Sequence, residues 1–303
     1  MTPRARGSHE PGDLLRACRG PVVVQGITGR VARRHTGRMR AYGTPVVAGV
    51  TPGRDGENVD GIPVFGTVRR AVEATGASVS VAFLPPVAAA EGLVEAAEAG
   101  IRLAVSTTEG AAPHGMLAAL AHAERAGMSV IGPNSPGLLI PDRLSLGFLP
   151  GTVARAGPVA LVSRSGTLSY EVARALSDAG LGESAWIGVG GDRFKGTTLV
   201  DLLPCLEADP ATRAVAFVGE IGGTDEEAAA RALADSPLAC AALIAGRTAP
   251  VGTVMGHAGA LVGAEGGGYR AKAEALLAAG VQVALSPREM AAHLAERLRS
   301  GPR

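Results

Sequence analysis

The sequence predicts an α/β protein made of two successive doubly wound domains. Short β-branched or apolar runs alternate with longer helical segments, which is typical of parallel sheets covered by helices. Aromatic residues make up only 3% of the chain, whereas glycine is frequent, with 43 residues. A stretch rich in proline and glycine, residues 133–157, interrupts the alternation once. We therefore expect a flexible arm over residues 1–20, domains over 21–140 and 158–303, and a linker over 141–157.

The first domain alternates between strand and helix over its whole length. Its opening strand is PVVVQG, a buried β-branched run closed by glycine, and its first helix ends at Gly43. The pattern continues with the strand TPVVAGVTPG, the helix TVRRAVEATG, the strand SVSVAFLPP and the helix VAAAEGLVEAAEAG. The strand IRLAVST, the helix HGMLAALAHAERAG and the strand MSVIGPN complete it. Short connections of this kind favour a parallel sheet.

The second domain repeats the alternation after the break. Its predicted elements are PVALVS, TLSYEVARALSDAG, SAWIGVGG, TLVDLLPCLEAD, AVAFVGEIGG, DEEAAARALADS and CAALIAG. A glycine-rich loop follows, and KAEALLAAG, VQVALS and REMAAHLAERLRS end the chain as helix, strand and helix. The pattern predicts a second doubly wound sheet.

Charge and composition exclude several classes of function. The chain has 29 basic and 28 acidic residues, so no overall field attracts nucleic acid. No apolar run reaches the roughly 18 residues of a membrane span. The three cysteines are far apart and have no metal-binding spacing, which disfavours disulfides and zinc. We expect a soluble cytoplasmic protein without a metal site.

The turn after the first strand is a candidate phosphate site. Thr28, Gly29, Arg30 and Val31 open a helix, whose free N–H groups favour an anion. Thr28 stands where a dinucleotide fingerprint has its second glycine, and no acidic residue ends the next strand. These features disfavour NAD and favour another phosphate-rich nucleotide, with Arg54 as a further cation. A plain tight turn is the alternative.

Two other strand ends carry hydroxyl groups. Thr107 and Thr108 either bind a ligand or cap the next helix, and the residues alone favour the cap. In the second domain Ser165, Gly166 and Thr167 open a helix, either as an anion site or as a cap that binds nothing.

His257 lies among small residues in the segment MGHAGA. It has no metal partner at helical spacing, so zinc is disfavoured. A surface or packing histidine is one interpretation, and a nucleophile that attacks phosphorus is the other. The second role needs an acceptor at one ring nitrogen, and Glu220, at another strand end, is the candidate.

Taken together, these segments closely resemble the α subunit of succinyl-CoA synthetase (succinate–CoA ligase, ADP- or GDP-forming). The resemblance runs in collinear order over about residues 21–295 and includes QGITG, GPNSPG, VSRSGTLSYE, GVGGD, GEIGG and MGHAGA. It implies a Rossmann-like domain that binds coenzyme A, followed by a flavodoxin-like ligase domain that carries a phosphohistidine.

The resemblance also implies a role for each candidate residue. Coenzyme A would contact these positions: Thr28, Gly29, Arg30, Val31, Arg54, Thr107, Thr108 and Glu109. His257 would be phosphorylated and steadied by Glu220, and Tyr170 would lie near the carboxylic acid substrate. The helix start at Ser165, Gly166 and Thr167 would hold the phosphate. An ATP-grasp β subunit would bind ATP or GTP with Mg²⁺ and form a hetero-oligomer with this chain.

Departures from the family pattern indicate a divergent paralogue. Ala32 replaces a glycine, Asp55 lies beside the implied coenzyme A contact, and Ser135 replaces a cysteine. The run 249–255 lacks the basic residues that the family has before its histidine. A ligase for another acid such as malate is therefore an alternative, as is a coenzyme A-binding regulatory protein with weakened catalysis.

Overall fold

Two mostly parallel sheets covered by helices make up the protein. The computed structural model describes residues 13–250, 252, 254–262 and 267–300. Within that part of the chain each sheet has seven strands. No helix of these described residues is long and apolar enough to cross a membrane.

The first sheet has the strand order of a Rossmann fold. Its strands are β1 Val22–Gln25, β2 Val46–Val50, β3 Asn58–Val59, β4 Ile62–Phe65, β5 Val79–Ala82, β6 Leu103–Ser106 and β7 Ser129–Ile131. Its helices are α1 Asp13–Ala17, α2 Arg30–Ala41, α3 Val68–Thr75, α4 Pro86–Glu98 and α5 Pro113–Arg125. The order is β3-β4-β2-β1-β5-β6-β7, with only β3 antiparallel to its neighbour. Without β3 this is the order 3-2-1-4-5-6, which confirms the prediction.

The second sheet has a flavodoxin-like order. Its strands are β8 Gly137–Ile140, β9 Leu144–Gly147, β10 Ala156–Ser163, β11 Glu183–Gly188, β12 Ala214–Glu220, β13 Ala239–Ala245 and β14 Gln282–Ala284. Its helices are α6 Gly166–Asp178, α7 Leu199–Ala208, α8 Asp225–Leu233, α9 Tyr269–Ala278 and α10 Pro287–Ser300. The order is β14-β13-β12-β10-β11-β8-β9. Its five parallel strands follow the order 2-1-3-4-5, and the winding direction reverses between β10 and β12.

Local sequence explains these elements. In β1 the residues Val22, Val23 and Val24 are fully buried, because helices cover both faces of a parallel sheet. Helix α3 begins where the Thr67 hydroxyl accepts a hydrogen bond from a backbone N–H. It ends at Gly76, which adopts the left-handed conformation typical of a helix stop.

The predicted linker over residues 141–157 is wrong in part, and so is the end of the first domain at residue 140. Strands β8 and β9 form an antiparallel hairpin at the edge of the second sheet, where β8 pairs with β11. Its leucines are buried, and its turn contains Pro141 and Asp142. The hairpin also contacts the first domain, because Thr44 Oγ1 donates to the Ser145 carbonyl over 2.7 Å. Burial of this apolar hairpin outweighs the irregular appearance of its sequence.

The predicted arm over residues 1–20 is also wrong in part. Residues 1–12 lie outside the described residues. Helix α1 follows them, with Leu14, Leu15 and Cys18 buried in the main core beside α7. Apolar residues at this spacing give even a short helix one buried face. Strands β3 and β4 were missed as well, because they are only two and four residues long and lie among glycines and polar residues.

Candidate active site

The candidate site lies at the carboxyl ends of β10 and β12, where the second sheet reverses its winding. Ligands of open α/β sheets bind at this kind of position. Glu220 is the last residue of β12, and Arg164 directly follows β10. His257 comes from the segment after β13. The fold therefore brings three distant chain segments to one sheet edge.

His257 is held by Glu220 through one ring nitrogen. Its Nδ1 lies 2.7 Å from Oε2 of Glu220, and Nε2 has no hydrogen-bond partner among the described residues. The His257 side chain is 28% exposed, whereas that of Glu220 is 4% exposed. A histidine whose Nδ1–H donates to a carboxylate carries its lone pair on Nε2. The arrangement thus presents Nε2 as a nucleophile.

The electrostatic surroundings favour positive charge on the His257 ring. The hydrogen bond to Glu220 raises the pKa of His257. Burial and the Arg164 guanidinium act in the opposite direction, and Glu109 adds to the rise. The ring therefore lies in a net negative field although a cation is near.

Small residues allow the histidine loop to lie close to the sheet. The loop turns back through hydrogen bonds from Met255 N to the Ala260 carbonyl and from Ala260 N to the His257 carbonyl, of 2.9 and 3.0 Å. A Cβ on Gly259 would lie 2.9 Å from Arg164 Nη2, and one on Gly191 would lie 2.6 Å from His257 Cγ. Because Gly191 has no Cβ, the His257 ring can lie against the backbone that follows β11, and the lack of a Cβ on Gly259 leaves room for Arg164.

A buried ion network lies behind Glu220. Arg164 Nη2 is 2.9 Å from Glu220 Oε1, and its Nη1 is 3.0 Å from Glu226 Oε1. Lys272 Nζ is 2.7 Å from Glu226 Oε2 and 2.9 Å from Glu227 Oε2. Arg164 and Lys272 are almost fully buried, with side-chain exposures of 2% and 0%.

The end of β6 reaches the same site. Asn134 N donates to the Thr108 carbonyl, and Asn134 Nδ2 donates to Asp192 over 3.1 Å. The Asn134 carbonyl in turn accepts from Gly191 N, directly under the His257 ring. Burial raises the pKa of Asp192, and the Glu109 charge adds to that rise. Thr108 and Glu109 of the first domain thus lie beside the histidine of the second.

The two threonines do not cap the next helix. Thr107 Oγ1 donates to the Ala82 carbonyl over 2.9 Å, and Thr108 Oγ1 donates to the Leu84 carbonyl over 2.7 Å. Helix α5 instead has Ala112 at its cap position, without a side-chain hydrogen bond. The cap interpretation is therefore wrong for these residues, because strand ends of a parallel sheet lie closer to each other than to the next helix.

The start of α2 has the features of an anion site. Gly29 occupies its cap position without any side-chain hydrogen bond, so the first N–H groups of the helix are free to bind a ligand. Thr28 Oγ1 donates to Thr51 Oγ1 over 3.2 Å, and the Thr51 carbonyl accepts from Arg54 N. Arg30 and Val31 are exposed beside this turn. Four of the predicted first-domain residues, Thr28, Gly29, Arg30 and Val31, thus follow the end of β1, whereas Thr107, Thr108 and Glu109 follow the end of β6.

Asp55 is bound by residues after β4 and in α3. Its Oδ1 accepts from Gly66 N over 2.9 Å, and Arg70 Nη1 lies 2.7 Å from its Oδ2. Both interactions lower the pKa of Asp55, with the backbone hydrogen bond the larger cause. Arg54 pairs with Glu57, and both side chains are exposed.

The start of α6 follows Arg164 directly. Ser165 accepts a hydrogen bond from Leu168 N over 3.2 Å and so caps the helix, while Gly166 is half-buried and Thr167 is exposed. Tyr170 is half-buried against Trp186, with ring centroids 5.2 Å apart, and burial raises the pKa of Tyr170. No described hydrogen bond joins Tyr170 to His257.

Sequence reasoning missed several residues of this site. Asn134, Asp192, Arg164, Glu226 and Lys272 all lie within it but were not predicted. One signal was available: only two of the 29 basic residues are lysines, Lys195 and Lys272. Both are buried in ion pairs, Lys195 with Asp225 and Lys272 with Glu226 and Glu227. Within the described ranges, no group of three or more histidine, cysteine, aspartate or glutamate residues has metal-site geometry.

Comparison with known proteins agrees with this layout. Residues 19–110 match the CoA binding domain family, and residues 162–282 match the CoA-ligase family. The protein is therefore a ligase with a coenzyme A-binding domain in front of its CoA-ligase domain.

Similarity to whole relatives defines the family more narrowly than the two domain families do. The chain is 46% identical over 280 residues to succinate–CoA ligase [ADP-forming] subunit alpha 2 of Archaeoglobus fulgidus, covering 92% of this chain and 98% of that one. It is 44% identical to the corresponding α subunit of Aquifex aeolicus, with 92% of both chains covered. The chain belongs to the succinate–CoA ligase α-subunit family, which confirms the resemblance found in the sequence.

Solved structures show the same fold. ATP citrate lyase from Methanothrix soehngenii, in complex with citrate and coenzyme A, superposes with a TM-score of 0.83 at 26% identity. The alignment covers 93% of this chain and 50% of that one, so the present chain spans about half of the lyase. A dinucleotide-forming acetyl-coenzyme A synthetase from Ca. Korarchaeum cryptofilum shares the fold with a TM-score of 0.70 at 22% identity.

Proposed function

We propose that this chain is the phosphate-carrying α subunit of a succinate–CoA ligase in the cytoplasm. ATP or GTP would phosphorylate His257, and the phosphate would pass to succinate to give an acyl phosphate. The coenzyme A thiolate would then displace phosphate and form the thioester. The observation that carries the proposal is the 2.7 Å contact between His257 Nδ1 and Glu220, which leaves Nε2 free for phosphorus.

The first step balances with the groups at the site. A bond forms between Nε2 and the terminal phosphorus, and the bond from phosphorus to the nucleoside diphosphate oxygen breaks. The leaving oxygen keeps that electron pair. The proton on Nδ1 stays hydrogen-bonded to Glu220 Oε2, and the ring gains positive charge as its Nε2 lone pair is used. A buried carboxylate beside Nδ1 stabilises that charge.

Coenzyme A would bind along the carboxyl ends of the first sheet. The free N–H groups at the start of α2, those of Arg30 and Val31, and the cation of Arg54 suit its phosphates. Asp55 lies beside the implied coenzyme A contact in the sequence, but Arg70 pairs with it and so offsets its negative charge. Thr107, Thr108 and Glu109 would lie along its path toward His257, because the Thr108 loop contacts Asn134 beside the histidine.

An ATP-grasp β subunit would complete the enzyme. The α-subunit naming of the relatives supports a partner chain. That subunit would bind the nucleotide and Mg²⁺, where the metal neutralises phosphate charge. On this chain, the start of α6 with Ser165, Gly166 and Thr167 would hold the transferred phosphate, and Tyr170 would lie near the acid.

Transfer of labelled phosphate tests the proposal directly. The chain, co-purified with its partner, is incubated with γ-labelled ATP or GTP and Mg²⁺. We expect acid-labile, base-stable label on this chain that is discharged by coenzyme A together with succinate. A panel that includes malate decides which acid is the substrate.

His257→Asn and His293→Asn form a matched pair for this experiment. His293 also lies next to a carboxylate, with Nε2 3.4 Å from Glu289, but on α10 far along the chain from the site. Label should be lost only in His257→Asn. If the intact complex binds nucleotide and coenzyme A but takes no label, the ligase mechanism is wrong and a regulatory coenzyme A-binding role replaces it.

A further inference from the structure

The ion network behind Glu220 is larger than a histidine–carboxylate pair requires. Arg164 bridges Glu220 and Glu226, and its Nη1 also donates to the Gly222 carbonyl over 3.3 Å. Glu226 Oε1 additionally accepts from the backbone N–H of Glu220 over 3.1 Å. Glu226 therefore supports Glu220 twice, through its backbone and through Arg164.

Lys272 closes the network from α9. Besides Glu226 and Glu227, its Nζ donates to the Gly223 carbonyl over 2.9 Å. All three N–H bonds of the ammonium group are thus used in a site with no exposure. Burying this charge is costly unless it is paired, so Lys272 depends on the carboxylates of Glu226 and Glu227 beside it.

The charges of this network do not cancel. The carboxylates of Glu220, Glu226 and Glu227 face two cations, Arg164 and Lys272. One negative charge is therefore in surplus in a network whose Glu220 contacts the imidazole ring of His257. The neighbouring pair of Lys195 and Asp225 is balanced and does not change this count.

We propose that Arg164, Glu226 and Lys272 are positioning residues for phosphoryl transfer. They hold Glu220 fixed against His257, and the surplus negative charge of the network stabilises the positive ring that the N–P bond creates. This inference rests on the proposed function, since it concerns the histidine that carries phosphate. Arg164 supplies the direct contact, while Glu226 and Lys272 act through it.

The ring faces charged groups from four elements. They are Glu220 at the end of β12, Arg164 after β10, Glu109 after β6 and Asp192 after β11. All four groups are still present when Glu226 or Lys272 is substituted. A change in the titration of His257 in such variants therefore reports on the network.

Two near-isosteric substitutions test the charge balance with opposite signs. Glu226→Gln removes one negative charge, and we expect the pKa of His257 to fall by about half a unit or more. Lys272→Met removes one positive charge, and we expect a rise of similar size. The double variant restores the surplus of one negative charge and should return the pKa close to that of the unaltered chain. The pKa is followed by NMR of the histidine rings in the full chain, with His257→Asn identifying the signal.

Arg270→Met is the matched control. Arg270 lies on the same helix as Lys272 and loses the same charge, but its side chain is 92% exposed and pairs with Glu274 at the surface. It should leave the pKa of His257 unchanged. Lys272→Arg keeps the charge and should keep the pKa close to its original value.

A merely structural role gives a different result. Loss of packing alone would leave the pKa unmoved or shift it in the same direction in both single variants, and either outcome overturns the inference. If Lys272→Met does not fold, Glu226→Gln decides alone, because an unchanged pKa in that folded variant is sufficient refutation. The titration requires no partner or nucleotide, so its failure is distinct from absence of phosphate label in the unaltered complex.

Discussion

Glu220→Gln separates the charge of the carboxylate from its shape. In the native site, Oε2 of Glu220 accepts from His257 Nδ1, and Oε1 lies 2.9 Å from Arg164. A glutamine has only one acceptor oxygen for these two donors. The guanidinium of Arg164 is a cation that carries only hydrogen-bond donors, so it attracts the amide oxygen rather than the N–H₂ group, and we expect the amide oxygen to face Arg164. The amide N–H₂ then faces Nδ1 and selects the tautomer with its proton on Nε2.

This variant removes two contributions to phosphorylation. The wrong tautomer has no lone pair on Nε2, so the nucleophile is absent from the dominant form. The loss of charge adds to this: unit charges about 4 Å apart interact by about 4 kcal/mol at an effective dielectric constant of 20. Because Arg164 offsets part of the carboxylate charge, about 2 kcal/mol remains, which corresponds to roughly 30-fold in rate. Together the two effects predict a slowdown of at least about 100-fold.

Single-turnover labelling of the complex measures the rate, and NMR of the histidine ring nitrogens reports the tautomer. Glu289→Gln serves as control, since Glu289 pairs with the surface histidine His293. Phosphorylation of Glu220→Gln within threefold of the native rate, with Nδ1 still protonated, would refute the reasoning.

Two further predictions concern the same ring. The pKa of His257 is raised in the folded chain, so its contribution to stability is fully present below about pH 6.5 and is lost as the pH rises through the raised value. Chemical denaturation from pH 6 to 9 should show this fall in the free energy of unfolding for the native chain but not for His257→Asn. Parallel curves for the two proteins would contradict the prediction. Gly191→Ala places a Cβ 2.6 Å from His257 Cγ and should slow phosphorylation at least tenfold without unfolding the chain. Gly37→Ala, a control in α2 with nothing within 4 Å of the added Cβ, should raise the free energy of unfolding by up to about 1 kcal/mol and leave phosphorylation unchanged.

Much of the fold could be predicted because each element carries its own signal. The apolar runs of β1, β5, β6 and β12 are buried on both faces of their sheets, and such runs are visible in the sequence without knowledge of neighbours. The hairpin β8–β9 was missed because it is stabilised mainly by contacts with β11 and with Thr44, far away along the chain. Helix α1 was missed for a similar reason, since α7 covers its apolar face.

The residues of the candidate site also divide into those that the sequence predicted and those whose positions it could not predict. His257 and Glu220 were predicted, because an accessible histidine among small residues and a carboxylate at a strand end are local features. Their pairing was a hypothesis that the geometry supports, with 2.7 Å between the two side chains. The positions of Asp55 and Thr108 could not be predicted, because their partners are Arg70 and the Leu84 carbonyl on other elements.

The sequence by itself determined most of the alternating strands and helices, the two helix starts suited to an anion, and the histidine and glutamate that we propose for phosphate transfer. These depend on residue type and short-range spacing, which local physical chemistry governs. Only the tertiary structure decided that Arg164, Glu226 and Lys272 form one network with Glu220, and that this network carries one more negative than positive charge. The charge balance of this network depends on which residues lie close together, and two of them, Arg164 and Lys272, are 108 positions apart along the chain. Only folding brings such distant residues together.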